Sequence, residues 1–273
     1  MIRKFGWALA SVISLAGIGA ASAADMAVKA RPVVVPIYNW TGCYIGLSAG
    51  GKGVATRDTV FIPATAFSPA SSADLGRLED TTWIAGGQVG CNYQSGNWVF
   101  GIEGDAHAQK WSTSSILAGG VLPVLFVPGD TFELRSDWQA SVRGRVGYAM
   151  DRTLFYVSGG AAFTEVRAFS NWIPFGGFPG TIANNTRTLT GGTVGAGVEH
   201  AVTDNFTLGL EGRYSLYGNQ RFDAGRVAVA FIPGALPVFV FSPTYRDVKI
   251  ETGEIIFKAN WKFGPTGALV ARY

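Results

Sequence analysis

The sequence is short of the residues that metal, redox and acid–base chemistry usually require. It has two histidines, two cysteines and three methionines in 273 residues. His107 and His200 stand alone, and no thiolate or imidazole cluster has the spacing of a zinc or haem site. No glycine-rich phosphate loop precedes a helical pattern, and no basic run suggests nucleic acid. Past residue 23 there is also no long apolar run. The most apolar segments, 121–127 and 227–241, are interrupted or bounded by proline. A spanning helix needs about 20 apolar residues, so any membrane passage of this part must use a closed barrel.

The N-terminus reads as a secretory signal peptide over residues 1–23. Arg3 and Lys4 give the charged start, 7–20 the apolar core, and Ala21-Ser22-Ala23 the small-residue cleavage site. Its removal lowers the net charge from +3 to +1, so the charge balance says little about acidic partners. Residues 24–39, with Pro32 and Pro36, read as a periplasmic lead-in, and 40–273 as one β domain.

Glycine (37 residues) and aromatics (13%) are plentiful. Two aromatic pairs, Trp83 with Tyr93 and Trp138 with Tyr148, have the same even spacing, and every second residue between them is small or apolar. On a strand such residues share a face. Ten tilted steps rise about 23 Å, close to the ~25 Å apolar band with aromatic girdles on a transmembrane barrel.

Eight strands are predicted: 40–52, 81–94, 97–111, 134–149, 153–167, 189–202, 206–217 and 247–263. Short links alternate with long ones at 53–80, 112–133, 168–188 and 218–246. The expected fold is therefore all-β: an eight-stranded antiparallel up-and-down transmembrane β-barrel with four long extracellular loops and short periplasmic turns.

Opposite the apolar series, Glu103, Asp105, Arg143, Arg145, Glu199, Glu211, Arg213 and Lys258 point inward. An eight-stranded barrel is just wide enough for side chains to fill. These charges form either a salt-bridged plug or the lining of a narrow ion path. Cys43 and Cys91 fall on the outward series near the periplasmic ends of neighbouring strands, as a structural disulfide or as two free thiols. Gly46-Leu47-Ser48-Ala49-Gly50 matches G-x-S-x-G but lies inside a strand, whereas a nucleophile elbow needs a strand–turn–helix. Each long link carries an aromatic, a β-branched residue and a proline: Phe61-Ile62, Phe126-Val127, Trp172-Ile173 and Phe231-Ile232 before their prolines. Either the strands extend above the membrane and these residues cap the lumen, or they form an apolar patch for a ligand, a host surface or a neighbouring barrel.

Several segments carry a family resemblance. They are Trp40-Thr41-Gly42-Cys43-Tyr44-Ile45-Gly46, Gly86-Gly87-Gln88-Val89-Gly90-Cys91-Asn92-Tyr93-Gln94, Gly101-Ile102-Glu103-Gly104-Asp105, Val142-Arg143-Gly144-Arg145-Val146-Gly147-Tyr148, Tyr156-Val157-Ser158-Gly159-Gly160-Ala161-Ala162 and Gly195-Ala196-Gly197-Val198-Glu199. In order and spacing the chain resembles the porin-like outer-membrane β-barrel family of alphaproteobacteria, the outer-membrane immunogenic protein type, related to the OmpA and OmpX barrels. The resemblance implies a surface-exposed barrel in the cell outer membrane. Such barrels often end at an aromatic of the last strand, a place open here to Phe263 or Tyr273.

The expected role is structural, with no catalytic, metal or cofactor site. The expected partners are outer-membrane lipid and lipopolysaccharide, the barrel-assembly machinery, and a host surface or other barrels. The alternatives are a small porin for ions or solutes, and an adhesin or receptor for an apolar ligand such as haem.

Overall fold

The computed structural model describes residues 38–66, 69–116, 129–172, 181–232 and 238–263. The expected signal peptide, most of the lead-in, and Phe126, Val127, Ile173 and Tyr273 lie outside the described residues. Eight strands follow in chain order: β1 (Gly42–Ile62), β2 (Ser71–Ser95), β3 (Trp98–Ile116), β4 (Thr131–Met150), β5 (Thr153–Trp172), β6 (Thr181–Ala201), β7 (Phe206–Ile232) and β8 (Val238–Phe263). Each pairs antiparallel with its neighbour, and β1 closes on β8 with Cys43 opposite Phe263. The ring is closed through the lower part of the wall; higher up, β2 pairs with β3 only as far as Ile84, and β6 with β7 only as far as Gly191.

The periplasmic turns are tight for local reasons. Gly96 takes φ +60° between β2 and β3, and Asp151 takes φ +51° between β4 and β5. Glycine and aspartate are among the residues that tolerate this region. Between β6 and β7, Thr203 Oγ1 accepts from the amides of Asn205 and Phe206.

Across the lower half of the barrel, the outward face carries Ile45, Leu47, Val89, Phe100, Ile102, Val142, Val146, Phe155, Val157, Val194, Leu208, Leu210, Ile255 and Phe257, all exposed. Trp83, Tyr93, Trp138 and Tyr148 are also outward and exposed, at the ends of this band.

The strands run far beyond the expected limits, up to 27 residues in β7 and 26 in β8. At about 3.3 Å per residue and roughly 40° of tilt, the wall stands about 50 to 70 Å tall, against about 30 Å of hydrocarbon. Of the four long links, 53–80, 168–188 and 218–246 are thus largely strand, while 112–133 gives only its two ends to β3 and β4. Phe61 and Ile62 end β1, Trp172 ends β5, and Phe231 and Ile232 end β7.

The reason is a reversal of polarity. Above the membrane band the outward positions become Arg57, Arg77, Glu133, Arg135, Glu165, Arg167, Asp247 and Lys249. The inward positions become mainly apolar, with a buried Asp58–Arg246 ion pair among them. Val54, Trp111, Leu134, Val166, Leu189, Tyr217, Phe222, Val248 and Ile250 form one buried layer. Val60, Ile62, Ala73, Phe132, Trp172 and Ala224 form a second. In β4 the reversal coincides with an irregularity, because Ser136 and Gln139 both point inward while Asp137 and Trp138 are both exposed. The extra residue is a β-bulge and flips the parity of the strand.

Candidate functional site

The alternation of each strand delivers its polar residues to the lumen of the membrane band, where they meet across the barrel. Arg143 on β4 is the hub. Its guanidinium donates to Glu103 Oε1 at 2.6 Å, to Asp105 Oδ2 at 2.9 Å and to Ser158 Oγ at 3.2 Å, and it is paired with Glu211. Lys258 on β8 donates to both oxygens of Glu103 at 2.6 and 2.7 Å, and to Glu211 Oε2 at 3.1 Å. Arg213 bridges to Asp105 at 3.1 Å, to Glu211 at 3.2 Å and to Glu254 at 3.6 Å. Arg145 donates to Glu199 at 2.8 Å and to Asn92 at 2.8 Å. Its guanidinium carbon lies 4.9 Å from the centre of the Tyr44 ring and 5.2 Å from that of Tyr156, an arrangement that suits its planar cation.

The phenols add to the network, Tyr44 donating to Glu103 at 2.6 Å and Tyr156 to Glu211 at 2.8 Å. The Tyr156 ring occupies space that Gly197 leaves free, since a Cβ there would come within 2.7 Å of it.

All eight expected interior charges are therefore buried and brought together. Two further members, Lys52 and Glu254, pair at 3.3 Å, and Lys52 also donates to Gln109 at 2.7 Å and to Gln139. Lys52 continues the inward series of Tyr44 and Ser48, and Glu254 that of Lys258, so the parity of each strand could have identified them. The five cations Lys52, Arg143, Arg145, Arg213 and Lys258 face the five carboxylates Glu103, Asp105, Glu199, Glu211 and Glu254. Buried charges are tolerated when paired and hydrogen-bonded, and this set balances.

Ser48, from the G-x-S-x-G match, lies in the same layer. Its Oγ is 2.8 Å from His107 Nε2, and His107 Nδ1 is 3.2 Å from Asp105 Oδ1. The order is that of a nucleophile, base and orienting acid. Two features argue against hydrolysis. The strand amides near Ser48 are committed to the β1–β2 and β1–β8 ladders, so the backbone there is not free to serve as an oxyanion hole. Asp105 is also saturated by Arg143, Arg213 and Ser141. His200 is exposed on another strand, beside Thr153 Oγ1 at 3.0 Å.

Both ends of the lumen are covered. Above lie the two apolar layers, with Trp172 stacked edge-on to Phe132 at 5.1 Å and donating to the Ala224 carbonyl at 2.6 Å. Below, Tyr38 and Trp40 pack with Val99, Ala149, Leu154, Tyr156 and Ala201. Trp40 donates its amide to Gln94 at 2.7 Å, and Lys262 donates to the Asn39 carbonyl. Burial pushes the Tyr38 phenol up to about 12. The end of the expected lead-in, with Trp40, thus forms a floor.

On the outer face, Cys43 and Cys91 are opposed in register and joined by a disulfide. Ile62 and Trp172 are built into the upper core, and Phe61 lies beneath the Arg221 guanidinium at 5.5 Å. The side chains of Phe231 and Ile232 lie outside the described residues.

The family model described as the outer membrane protein beta-barrel domain matches residues 12–232. The chain is 34% identical to the 22 kDa outer membrane protein of Rhizobium leguminosarum bv. viciae, over 79% of this chain and 85% of that one. It is 27% identical to the 25 kDa outer-membrane immunogenic protein of Brucella abortus biovar 1, over 77% of this chain and 83% of the relative. Among solved structures, the outer membrane protein OprG of Pseudomonas aeruginosa aligns with 83% of this chain and 98% of its own, at 11% identity and a TM-score of 0.45.

Proposed function

Because the chain belongs to the outer membrane protein beta-barrel family, we propose that it is a closed, non-conducting structural barrel of the outer membrane, which stabilises the envelope and displays its upper wall outside the cell. The observation that carries this reading is the filled lumen. A charge-balanced network occupies the membrane band, and apolar layers lie above and below it. An ion path needs polar groups free to exchange ligands, whereas these are committed to one another at direct hydrogen-bond distances. The same filling leaves no substrate route to Ser48, so the Ser48–His107 hydrogen bond, with Asp105 beside the imidazole, serves as part of the polar filling. Ile62 and Trp172, spent inside the wall, offer no apolar patch to a ligand such as haem. On this reading the partners are outer-leaflet lipid and lipopolysaccharide, with the assembly machinery during insertion.

Planar-bilayer recording of the mature protein tests the reading, after a heat-modifiable gel shift has established folding. The expected result is silence from folded protein. A steady, reproducible conductance that changes selectivity on replacing Arg143 and Arg145 with alanine would overturn it in favour of a small porin.

A further inference from the structure

Above the membrane band the ring opens along two seams. β2 leaves β3 above the pair Ile84–Gln109, and β6 leaves β7 above Gly191–Tyr217. Each seam starts at a bulge on one of its strands. β3 shifts register against β4 between Ala108 and Trp111, and β7 against β8 between Tyr217 and Gln220. An extra residue re-aims a strand and ends its pairing on the other side. Four strand edges are thereby left without a ladder partner.

Three of the four are blunted, as unpaired sheet edges usually are. β2 carries Asp74, Arg77, Glu79 and Asp80 over its unpaired length and takes φ +87° at Gly76. Its Asp80 accepts from the Ser112 amide of β3 at 3.1 Å, and Thr82 donates to the Lys110 carbonyl at 2.8 Å, so side chains close that seam. β7 is broken by three register shifts and takes φ +90° at Gly225. β6 has none of these devices. Residues 181–190 hold no proline or glycine and pair with β5 without a shift. The Ala201 amide points to β5 and the Val202 amide to β7. With unbroken parity, the backbone groups of Ile182, Asn184, Thr186, Thr188 and Thr190 face the seam. Those five side chains are exposed and uncharged. Asn185 reaches across the seam to the Asp223 carbonyl. Arg187 opposes the buried Val166 and shares its inward phase, yet its side chain is exposed, reaching water through the seam. Among the described residues it has no ion-pair partner.

We propose that the β6 edge takes up an extended peptide from outside the cell as an added strand. Main-chain pairing along Ile182, Asn184, Thr186 and Thr188 supplies affinity, and alternate side chains supply the choice of partner. Arg187 selects a carboxylate on the inward phase of the incoming strand, and Leu189 an apolar residue two positions away. Binding displaces the Asn185 contact with Asp223. Register fixes the height. Thr164 pairs with Gln139, next to the girdle residue Trp138, on one side and with Leu189 on the other, so 182–188 stand above the lipid. A second copy of the chain fits poorly. Two barrels side by side in one membrane present β6 to β6 in parallel, the less stable pairing, with Arg187 against Arg187. The inference rests on the upper wall standing outside the cell, and not on the closed lumen.

The test titrates folded, detergent-solubilised protein with the synthetic peptide Thr-Val-Thr-Asp-Thr-Val-Thr, which presents the same side chains in either strand direction. Two control peptides carry lysine in place of the aspartate, or proline in place of the two threonines beside it. Hydrogen exchange of the amides locates the binding. The aspartate peptide should bind at least about tenfold more tightly than either control, the scale of one lost charge-assisted contact, and should slow exchange at Thr186 and Thr188. R187E should reverse the preference between aspartate and lysine. T186P, which removes a seam-facing donor, should lose binding that T186A keeps, and N185A should strengthen it. Heat-modifiability confirms that each variant folds. Equal binding of the three peptides, no reversal in R187E, or protection on β2, β3 or β7 in place of β6 would each overturn the proposal. So would a parent that ignores the peptides and self-associates, reverting to monomer in T186P. A conducting barrel that still bound the aspartate peptide in this pattern would sink the closed-barrel reading and leave the edge site standing.

Discussion

On β4, Val142 faces lipid and Arg143 faces the lumen. Further up the same strand Phe132 faces the lumen, and Glu133 and Arg135 lie on the other side. β1, β5 and β8 make the same exchange. One sheet is thus two storeys in series. The membrane storey is apolar outside and ionic inside, and the outer storey is ionic outside and largely apolar inside, with the single buried pair Asp58–Arg246 among its described ion pairs. Each storey buries what its solvent rejects. Water favours hiding Phe132, Trp172 and Phe222. Lipid offers no such gain for apolar groups and makes unpaired polar ones costly, so Arg143, Glu103 and Lys258 are turned inward to satisfy one another. Hydrophobicity alone does not say which face of a strand is the core; the surrounding medium does.

Substitutions can break this contrast, and the largest effects belong to the two interiors. Arg143→Ala removes one partner from a buried network and leaves Glu103, Asp105 and Glu211 under-compensated, at a cost of about 3–5 kcal/mol. Phe222→Ala opens a cavity in the outer storey at a similar cost of about 3–5 kcal/mol. Urea titration of heat-modifiability should register the first. Limited proteolysis should register the second as clipping of the upper wall while the membrane storey stays protected. Loss of both storeys together in either variant would show that they unfold as one unit.

A smaller contrast concerns the outward face. Val142→Arg places a charge against lipid and should cost up to about 2–4 kcal/mol near the midplane, whereas Thr59→Arg, outward in the upper storey, should stay within about 0.5 kcal/mol. Equal effects in a refolding assay would argue that the upper wall is also lipid-covered. A similarly small effect is expected at Arg167, whose exposed pairs with Glu165 and Asp137 lie at 3.1 and 3.3 Å. Arg167→Ala should change stability by less than about 1 kcal/mol, and less still at high salt.

The membrane storey was legible in the sequence because its signal is redundant. Parity, girdle spacing and tight turns all agree, and parity alone assigned Glu103, Asp105, Arg143, Arg145, Glu199, Glu211, Arg213 and Lys258 to the lumen side. The outer storey was legible only as one of two alternatives, strands extended above the membrane with Ile62 and Trp172 turned inward, and its strand limits were not, because outward apolar residues mark only the membrane band. That series ends near Gly51 on β1 and Ile255 on β8, although the strands continue. The inward run Val54, Val60, Ile62 was the available sign, read on the opposite phase. On β4 the bulge at 136–138 hid the sign further by changing the parity. The meeting of Ser48, His107 and Asp105 was invisible for another reason: which residues on different strands meet across a lumen depends on shear, and a single sequence does not give the shear.

The disulfide carries a consequence for the order of events. Cys43 and Cys91 are 48 residues apart and lie on the first hairpin, whereas closing the ring must bring Cys43 to Phe263. Loop closure over the shorter span comes sooner and costs less entropy. The oxidising periplasm can therefore clasp β1 to β2 while β8 is still unpaired. The nascent seam then has a stiff, two-stranded lip against which the final strand finds its register, and a slip by one residue would require the covalent hairpin to shift as a whole.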